Sequence, residues 1–183
     1  MRSLLAFVLC AAALFCTASF AKAADTPLTV TFGGYTSTGA NAQSGSSAAS
    51  AYEAAGLYYI PKSQPASQAV QIGAYFDVLG FGGSGSGTSG GFGVAARTRG
   101  RGYLGAGAGA YSVTITPPEA CPVSSALPGA CTPVSYSATG FGGKVFAGIS
   151  PASNVQFEVT YHFMPAARGI NTNAVSAEVG VRI

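Results

Sequence analysis

"VQFEVTYHF", residues 155 to 163, alternates apolar and polar side chains without a break. Val155, Phe157, Val159, Tyr161 and Phe163 share one parity, and Gln156, Glu158, Thr160 and His162 the other. Successive side chains of a β-strand point to opposite faces, so the stretch predicts a strand with one apolar and one polar face. Two architectures use such a strand. In a water-soluble sheet the apolar face packs on a core and the polar face is wet; in a transmembrane barrel the apolar face meets lipid and the polar face lines the interior.

Composition favours the barrel. Only 8% of the 183 residues are charged, against roughly 25% in ordinary soluble domains. After the leader, no stretch approaches the roughly 18 apolar residues of a membrane helix. Residues 1–23 read as a cleaved signal peptide: Arg2 is the basic start, "LLAFVLCAAALFC" the apolar run, and "AKA" ending at Ala23 the small-x-small cleavage site. Residues 24–183 are then one exported domain of 160 residues, with seven basic residues against six acidic ones. Nucleic-acid binding loses its electrostatic argument at that balance.

The remaining chain divides into further alternating runs. "PLTVTFGGY" is the first strand and "AYEAAGLYYI" the second, closed by the turn "PKSQP". "QAVQIGAYFDVLGF" sets Val70, Ile72, Ala74, Phe76 and Val78 against Gln71, Gly73, Tyr75 and Asp77. "FGVAARTR" and "YLGAGAGAYSVTIT" flank the turn "GRG"; "TGFGGKVFAGI" is followed by the turn "SPASN", the opening strand and finally "AVSAEVGVRI". Four longer segments, "TSTGANAQSGSSA", "GGSGSGTSGG", "PPEACPVSSALPGACTP" and "PAARGINTN", alternate with the short turns and read as outer loops. The expectation is an all-β, eight-stranded antiparallel up-and-down transmembrane β-barrel with both termini on the periplasmic side.

If the polar parity faces inward, the lumen collects charge. Glu158 on strand seven, Glu178 and Arg182 on strand eight, Lys144 on strand six, Arg97 on strand four and Asp77 on strand three all carry that parity. Buried charges without partners are costly, so pairing across strands is expected. Arg99 and Arg101 share the Arg97 parity, and the run "RTRGR" could bind anionic lipid headgroups or periplasmic polymer, though lumenal pairing and snorkelling at the periplasmic rim explain it more simply. An eight-stranded barrel is just wide enough for its side chains to fill it, so a packed interior is expected and an open pore is not. Gly105, Gly107 and Gly109 would leave room for arginines of the neighbouring strand, although Tyr111, Val113 and Ile115 share their parity and leave the phase of that strand open. Tyr58, Tyr59, Tyr103, Tyr111, Tyr161 and Phe163 are candidates for interface girdles.

From about residue 27 onward the chain resembles the small outer-membrane β-barrels, the group that includes the OmpA membrane domain and OmpX-like barrels. "TVTFGGY", "YLGAGAGAY" and the final "VSAEVGVRI" carry the likeness. The resemblance implies eight strands, a place in the bacterial outer membrane, outer-membrane lipid as surroundings and insertion by the barrel assembly machinery. Its members range from structural to adhesive to enzymatic. Barrels of this group usually end in an aromatic residue; Ile183 departs from that pattern.

Catalysis would have to use His162, the one histidine. With Ser176 and Glu178 near it in register, the set resembles the serine, histidine and acid groups of lipid A deacylases and palmitoyl transferases. An acyl chain must reach such a nucleophile, and a packed lumen denies it; the deacylase serine two positions after the histidine is here Met164. No zinc spacing is present. "GSGTSG" and "GAGAGA" match a dinucleotide fingerprint by letter but open no helix, so no cofactor is expected. Cys121 and Cys131 are expected to form a disulfide in the longest loop, stabilising it by about 3 kcal/mol in the chain-entropy view. The function expected is that of a non-enzymatic Gram-negative outer-membrane protein serving envelope structure or surface interaction through its loops, with an unidentified loop partner. A secreted or periplasmic all-β sandwich that binds a ligand is the alternative, and a lipid A-modifying enzyme a lesser one.

Overall fold

The computed structural model describes residues 28–37, 53–61, 64–65, 67–81, 86–116 and 135–183. The expected signal peptide and both loop cysteines, Cys121 and Cys131, lie outside the described residues. Eight strands follow in chain order: β1 (Leu28–Ser37), β2 (Glu53–Tyr59), β3 (Val70–Phe81), β4 (Ser86–Thr98), β5 (Gly102–Thr116), β6 (Tyr136–Ala152), β7 (Val155–Phe163) and β8 (Ala174–Arg182). Each pairs antiparallel with the next, and β8 returns to β1 over Thr29↔Arg182 to Ser37↔Ala174, closing the sheet into a barrel. Closure leaves no edge along the wall. The two-sheet sandwich is therefore replaced by a single closed sheet.

Burial inverts the soluble pattern. Along β7, Gln156, Glu158, Thr160 and His162 are 1–9% exposed, whereas Phe157, Val159 and Phe163 are 46–55% exposed. Val70, Ile72, Phe76 and Val78 of β3 are exposed while Tyr75 and Asp77 are buried. Along β3 and β7 the apolar parity faces out and the polar parity faces in.

That outward face has a sharp upper limit. On β5 it reads Leu104, Ala106, Ala108, Ala110, then Ser112, Thr114 and Thr116; on β6 it reads Ile149, Ala147, Val145, Gly143, Phe141, then Thr139 and Ser137. The switch falls in one row, because Phe92 pairs with Ala110 and Ala110 with Phe141, while Ser112 pairs with Thr139 in the next outward row. Above it the hydroxyls bond one another across the strands: Thr139 to Ser112 at 3.2 Å, Thr114 with Ser137 at 2.9 Å and Thr116 with Ser135 at 2.8 Å. Phe92 and Phe141, both strongly exposed, mark the boundary as an aromatic girdle would. Of the residues expected there, Tyr59 and Phe163 do face out, but Tyr58, Tyr103 and Tyr111 are buried inside. A tyrosine suits either place, being an apolar ring with a polar tip.

Two strands, β4 and β6, extend well beyond the expected limits. β4 begins at Ser86, so six of the ten residues of the glycine- and serine-rich segment 82–91 are strand, held by the tall β5 from Ser86↔Thr116 downward. β6 runs to Ala152 through a register shift between Ile149 and Ala152, absorbing the start of the expected turn at 150–154.

Glycines of the wall admit aromatic rings and not arginines. Tyr111 lies directly against Gly91 and also reaches Gly142, Phe146 lies over Gly105, and Tyr103 over Gly148. Tyr103, Tyr111, Val113 and Ile115 are buried, which settles the phase of β5. Gly91→Val is expected to cost about 1–3 kcal/mol, the usual penalty for overpacking, because its side chain would occupy the space of the Tyr111 ring. Gly90→Val, one residue away with nothing near its Cβ position, should be close to neutral. Urea unfolding of both variants in lipid vesicles tests the pair.

Candidate functional site

The residues that sequence reasoning assigned to the interior come from five strands, and of them Lys144 contacts Asp77 directly. Its register on β3 sets it opposite Gly56 on one side and Gly91 on the other, two residues without side chains. That leaves its carboxylate free to cross the lumen. Lys144 Nζ donates to Asp77 Oδ1 at 2.9 Å, and Tyr111 Oη donates to Oδ2 at 3.3 Å. His162 Nδ1 lies 3.8 Å from Oδ2. The ammonium of Lys144 also sits over the Tyr75 ring, 4.3 Å from its centroid, so this charge has an aromatic face as well as a carboxylate.

Glu158 and Glu178 face each other in register across β7 and β8. They are held by hydroxyls: Tyr103 Oη donates to Glu158 Oε2 at 2.9 Å, Thr160 Oγ1 to Glu158 Oε1 at 3.0 Å, and Ser176 Oγ to Glu178 Oε1 at 2.6 Å. Arg97 is buried on β4 and donates to Gln71 Oε1 at 3.3 Å and Gln156 Oε1 at 3.4 Å. Its guanidinium stands 5.2 Å and 5.0 Å from the ring centroids of Tyr58 and Tyr103. Arg182 is only partly buried at the end of β8. Among the described residues, the one contact shorter than 3 Å between a carboxylate and a cation is that of Asp77 with Lys144.

The Ser176–His162 contact is chemically unlike a hydrolase pair. His162 Nε2 and Ser176 Oγ are 3.0 Å apart, but the serine's single proton is engaged by Glu178 at 2.6 Å. While the serine proton is held by Glu178, Oγ can only accept from Nε2, and in that arrangement the imidazole does not take the serine proton as a general base must. Ser176 and His162 are also sealed, at 0% and 1% exposure. A void elsewhere in the lumen, lined by Thr31, Tyr58, Asp77, Lys144 and Glu158 among others, measures about 10 Å³, room for one water at most.

The far mouth, opposite the termini, is stoppered by a segment that sequence reasoning left as a plain loop. Residues 164–173 fold back over the lumen: Ala167 and Ile170 form an isolated bridge, with Arg168 at φ 49° and Gly169 at φ 77° making the tight turn between them. Ala167 is fully buried against Val113 and Ile115, and Met164 touches all three apolar clusters of the interior. Ser89 Oγ donates to Met164 Sδ at 3.0 Å. Asn173 Oδ1 accepts from Met164 N at 2.9 Å, and Thr172 Oγ1 donates to Pro165 O at 2.9 Å. The Arg-Gly pair was the one local signal of this turn; its packing depends on β5 and β6, some fifty and thirty residues earlier in the chain.

A structure of Ail, the attachment invasion locus protein of Yersinia pestis, superposes on 85% of this chain and 96% of its own with a TM-score of 0.54 at 13% identity. The chain has the fold of Ail. A second Ail structure, in a phospholipid bilayer nanodisc, matches over 86% of this chain and 99% of its own at 10% identity and a TM-score of 0.48. Neisserial surface protein A matches over 85% and 96% at 12% identity and a TM-score of 0.48. No protein-family model matches the chain, and no curated protein does.

Proposed function

We propose that this is a non-enzymatic barrel of the bacterial outer membrane, a sealed scaffold that meets its surroundings through the segments at its far end. The inverted polarity of the wall supports this most directly: an exposed band of Phe, Val, Ile and Leu around a buried set of Asp, Glu, Lys, Arg and His is unfavourable in water and favourable in lipid. On this reading the termini and short turns lie in the periplasm, and the leader at 1–23 directs export. The barrel assembly machinery inserts the chain, and Cys121 and Cys131 staple the longest outer segment. Cell fractionation tests it. The protein should sediment with outer membranes and shift in gel mobility between boiled and unboiled samples in detergent. Recovery from the soluble periplasmic fraction, with no shift on boiling, rejects it.

The lumen is a plug on this reading, because side chains of opposite walls meet across it, Tyr103 with Glu158 and both Tyr111 and Lys144 with Asp77. In planar bilayers the purified protein should show no steady single-channel current. A persistent ohmic conductance contradicts the packed interior. Lipid A should emerge unmodified from incubation with the wild type. Activity that disappears in His162→Ala would restore the enzymatic alternative.

A further inference from the structure

The small void inside the barrel lies where the wall lacks a side chain. Gly56 of β2 stands in register between Thr31 of β1 and Asp77 of β3, and all three line the void of about 10 Å³. A Cβ on Gly56 would lie 2.6 Å from Thr31 Oγ1, 3.2 Å from Asp77 Oδ1 and 3.6 Å from Glu178 Oε2. Gly56 is the one glycine among the described residues whose three nearest neighbours are all side-chain oxygens. Oxygens from three strands therefore converge on one recess.

Those oxygens have hydrogen-bonding capacity left over. Thr31 is 5% exposed, and its hydroxyl makes no hydrogen bond with another described residue. Buried hydroxyls are seldom left without a partner. Glu178 accepts from Ser176 through Oε1, which leaves Oε2 turned to the recess. Asp77 Oδ1 accepts from Lys144 and keeps a second lone pair.

We infer that one structural water binds beside Gly56, accepting from Thr31 Oγ1 and donating to Asp77 Oδ1 and Glu178 Oε2. A buried water needs a polar recess of about 10–15 Å³ or more and makes about three hydrogen bonds, which is what the recess offers. A metal cation suits it less, because Lys144 and Arg97 line the same void and would repel one. The water joins two clusters. From Lys144 the contacts run through Asp77, the water, Glu178 and Ser176 to His162 Nε2, each protein step measuring 2.6–3.0 Å. His162 Nδ1, 3.8 Å from Asp77 Oδ2, brings the path back toward its start. β1, β3, β6, β7 and β8 are braced through this one ring of polar groups. The inference concerns the interior alone and holds whatever the outer segments meet.

A crystal structure of the detergent-solubilised protein, at a resolution that shows ordered water, tests the site. The wild type should carry one solvent peak within about 3.2 Å of all three oxygens. Gly56→Ala, which fills the recess, should lose the peak. Thr31→Val, which removes the donor without adding bulk, should lose most of its occupancy. Gly56→Ser should place its hydroxyl where the water stood, and its urea midpoint in vesicles should lie above that of Gly56→Ala. Boiling-dependent gel mobility confirms that each variant is folded, and Thr31→Val decides alone if the bulkier variants are not. A wild-type recess without a peak, a peak unchanged in Thr31→Val or Gly56→Ala, or equal midpoints for Gly56→Ala and Gly56→Ser overturns the inference. Contacts of about 2.3–2.6 Å, as for calcium, would identify a metal ion and overturn it as well.

Discussion

Asp77→Ala is expected to destabilise the barrel by about 3–5 kcal/mol, the cost of leaving a buried charge without its partner. Lys144 would keep its place over Tyr75 without the carboxylate it now donates to, and Tyr111 Oη and His162 would lose the group they face. Removing both charges, as in Asp77→Leu with Lys144→Met, should recover most of that loss, since well-packed apolar replacements of a buried pair are often neutral. Urea unfolding in phosphatidylcholine vesicles, followed by circular dichroism and gel mobility, measures these variants together with Asp77→Leu and Lys144→Met singly. The chain has no tryptophan to report fluorescence. Additive effects of the two substitutions, each below about 1 kcal/mol as for a solvent-exposed pair, would show that the lumen is wet.

The second large effect is on the outside. Ala106→Arg places a charge in the middle of the outward apolar rows of β5 and β6, opposite Val145, and should cost about 2–4 kcal/mol, as at a bilayer midplane. Thr114→Arg, on the same face of the same strand but among the hydroxyls, should cost about 0–1 kcal/mol. In a soluble barrel the two would be alike and small. The difference between them, measured in one vesicle preparation, separates lipid from water as the solvent of that face.

How much of this was legible beforehand depended on the kind of contrast each residue offered. β3 and β7 set Val, Ile and Phe against Gln, Glu, His and Asp, and such large differences in hydropathy identify both strand and parity. Asp77, Arg97, Lys144, Glu158 and Glu178 were placed on the inner face by that parity, and the structure finds them buried there. Their partners were not legible. Arg97 meets glutamines and tyrosine rings, and Glu178 meets Ser176, because barrel tilt and stagger decide which side chains meet across the lumen.

β5 was silent for a different reason. Glycine and alanine alternate from Gly105 to Ala110 with too little contrast to say which faces in; the ring of Phe146 over Gly105 and the burial of Tyr111 decide it. Tyrosines misled, since Tyr58, Tyr103 and Tyr111 use their hydroxyls on Ala95 O, Glu158 and Asp77 inside the barrel. The stopper at 164–173 was missed because no local pattern records that Met164 and Ala167 will find Val113 and Ile115.

Nitroxide accessibility along the outward face of β5 tests the lipid-facing wall most directly. Labels would be placed singly at 104, 106, 108, 110, 112, 114 and 116, with Cys121 and Cys131 replaced by serine, in phosphatidylcholine vesicles. Oxygen, which concentrates in hydrocarbon, should relax the labels at 104 to 110 most strongly, and a water-soluble nickel chelate should take over at 112 and beyond. A chelate that reaches all seven positions equally would mean that the wall never leaves water, and the inverted barrel would have to be abandoned.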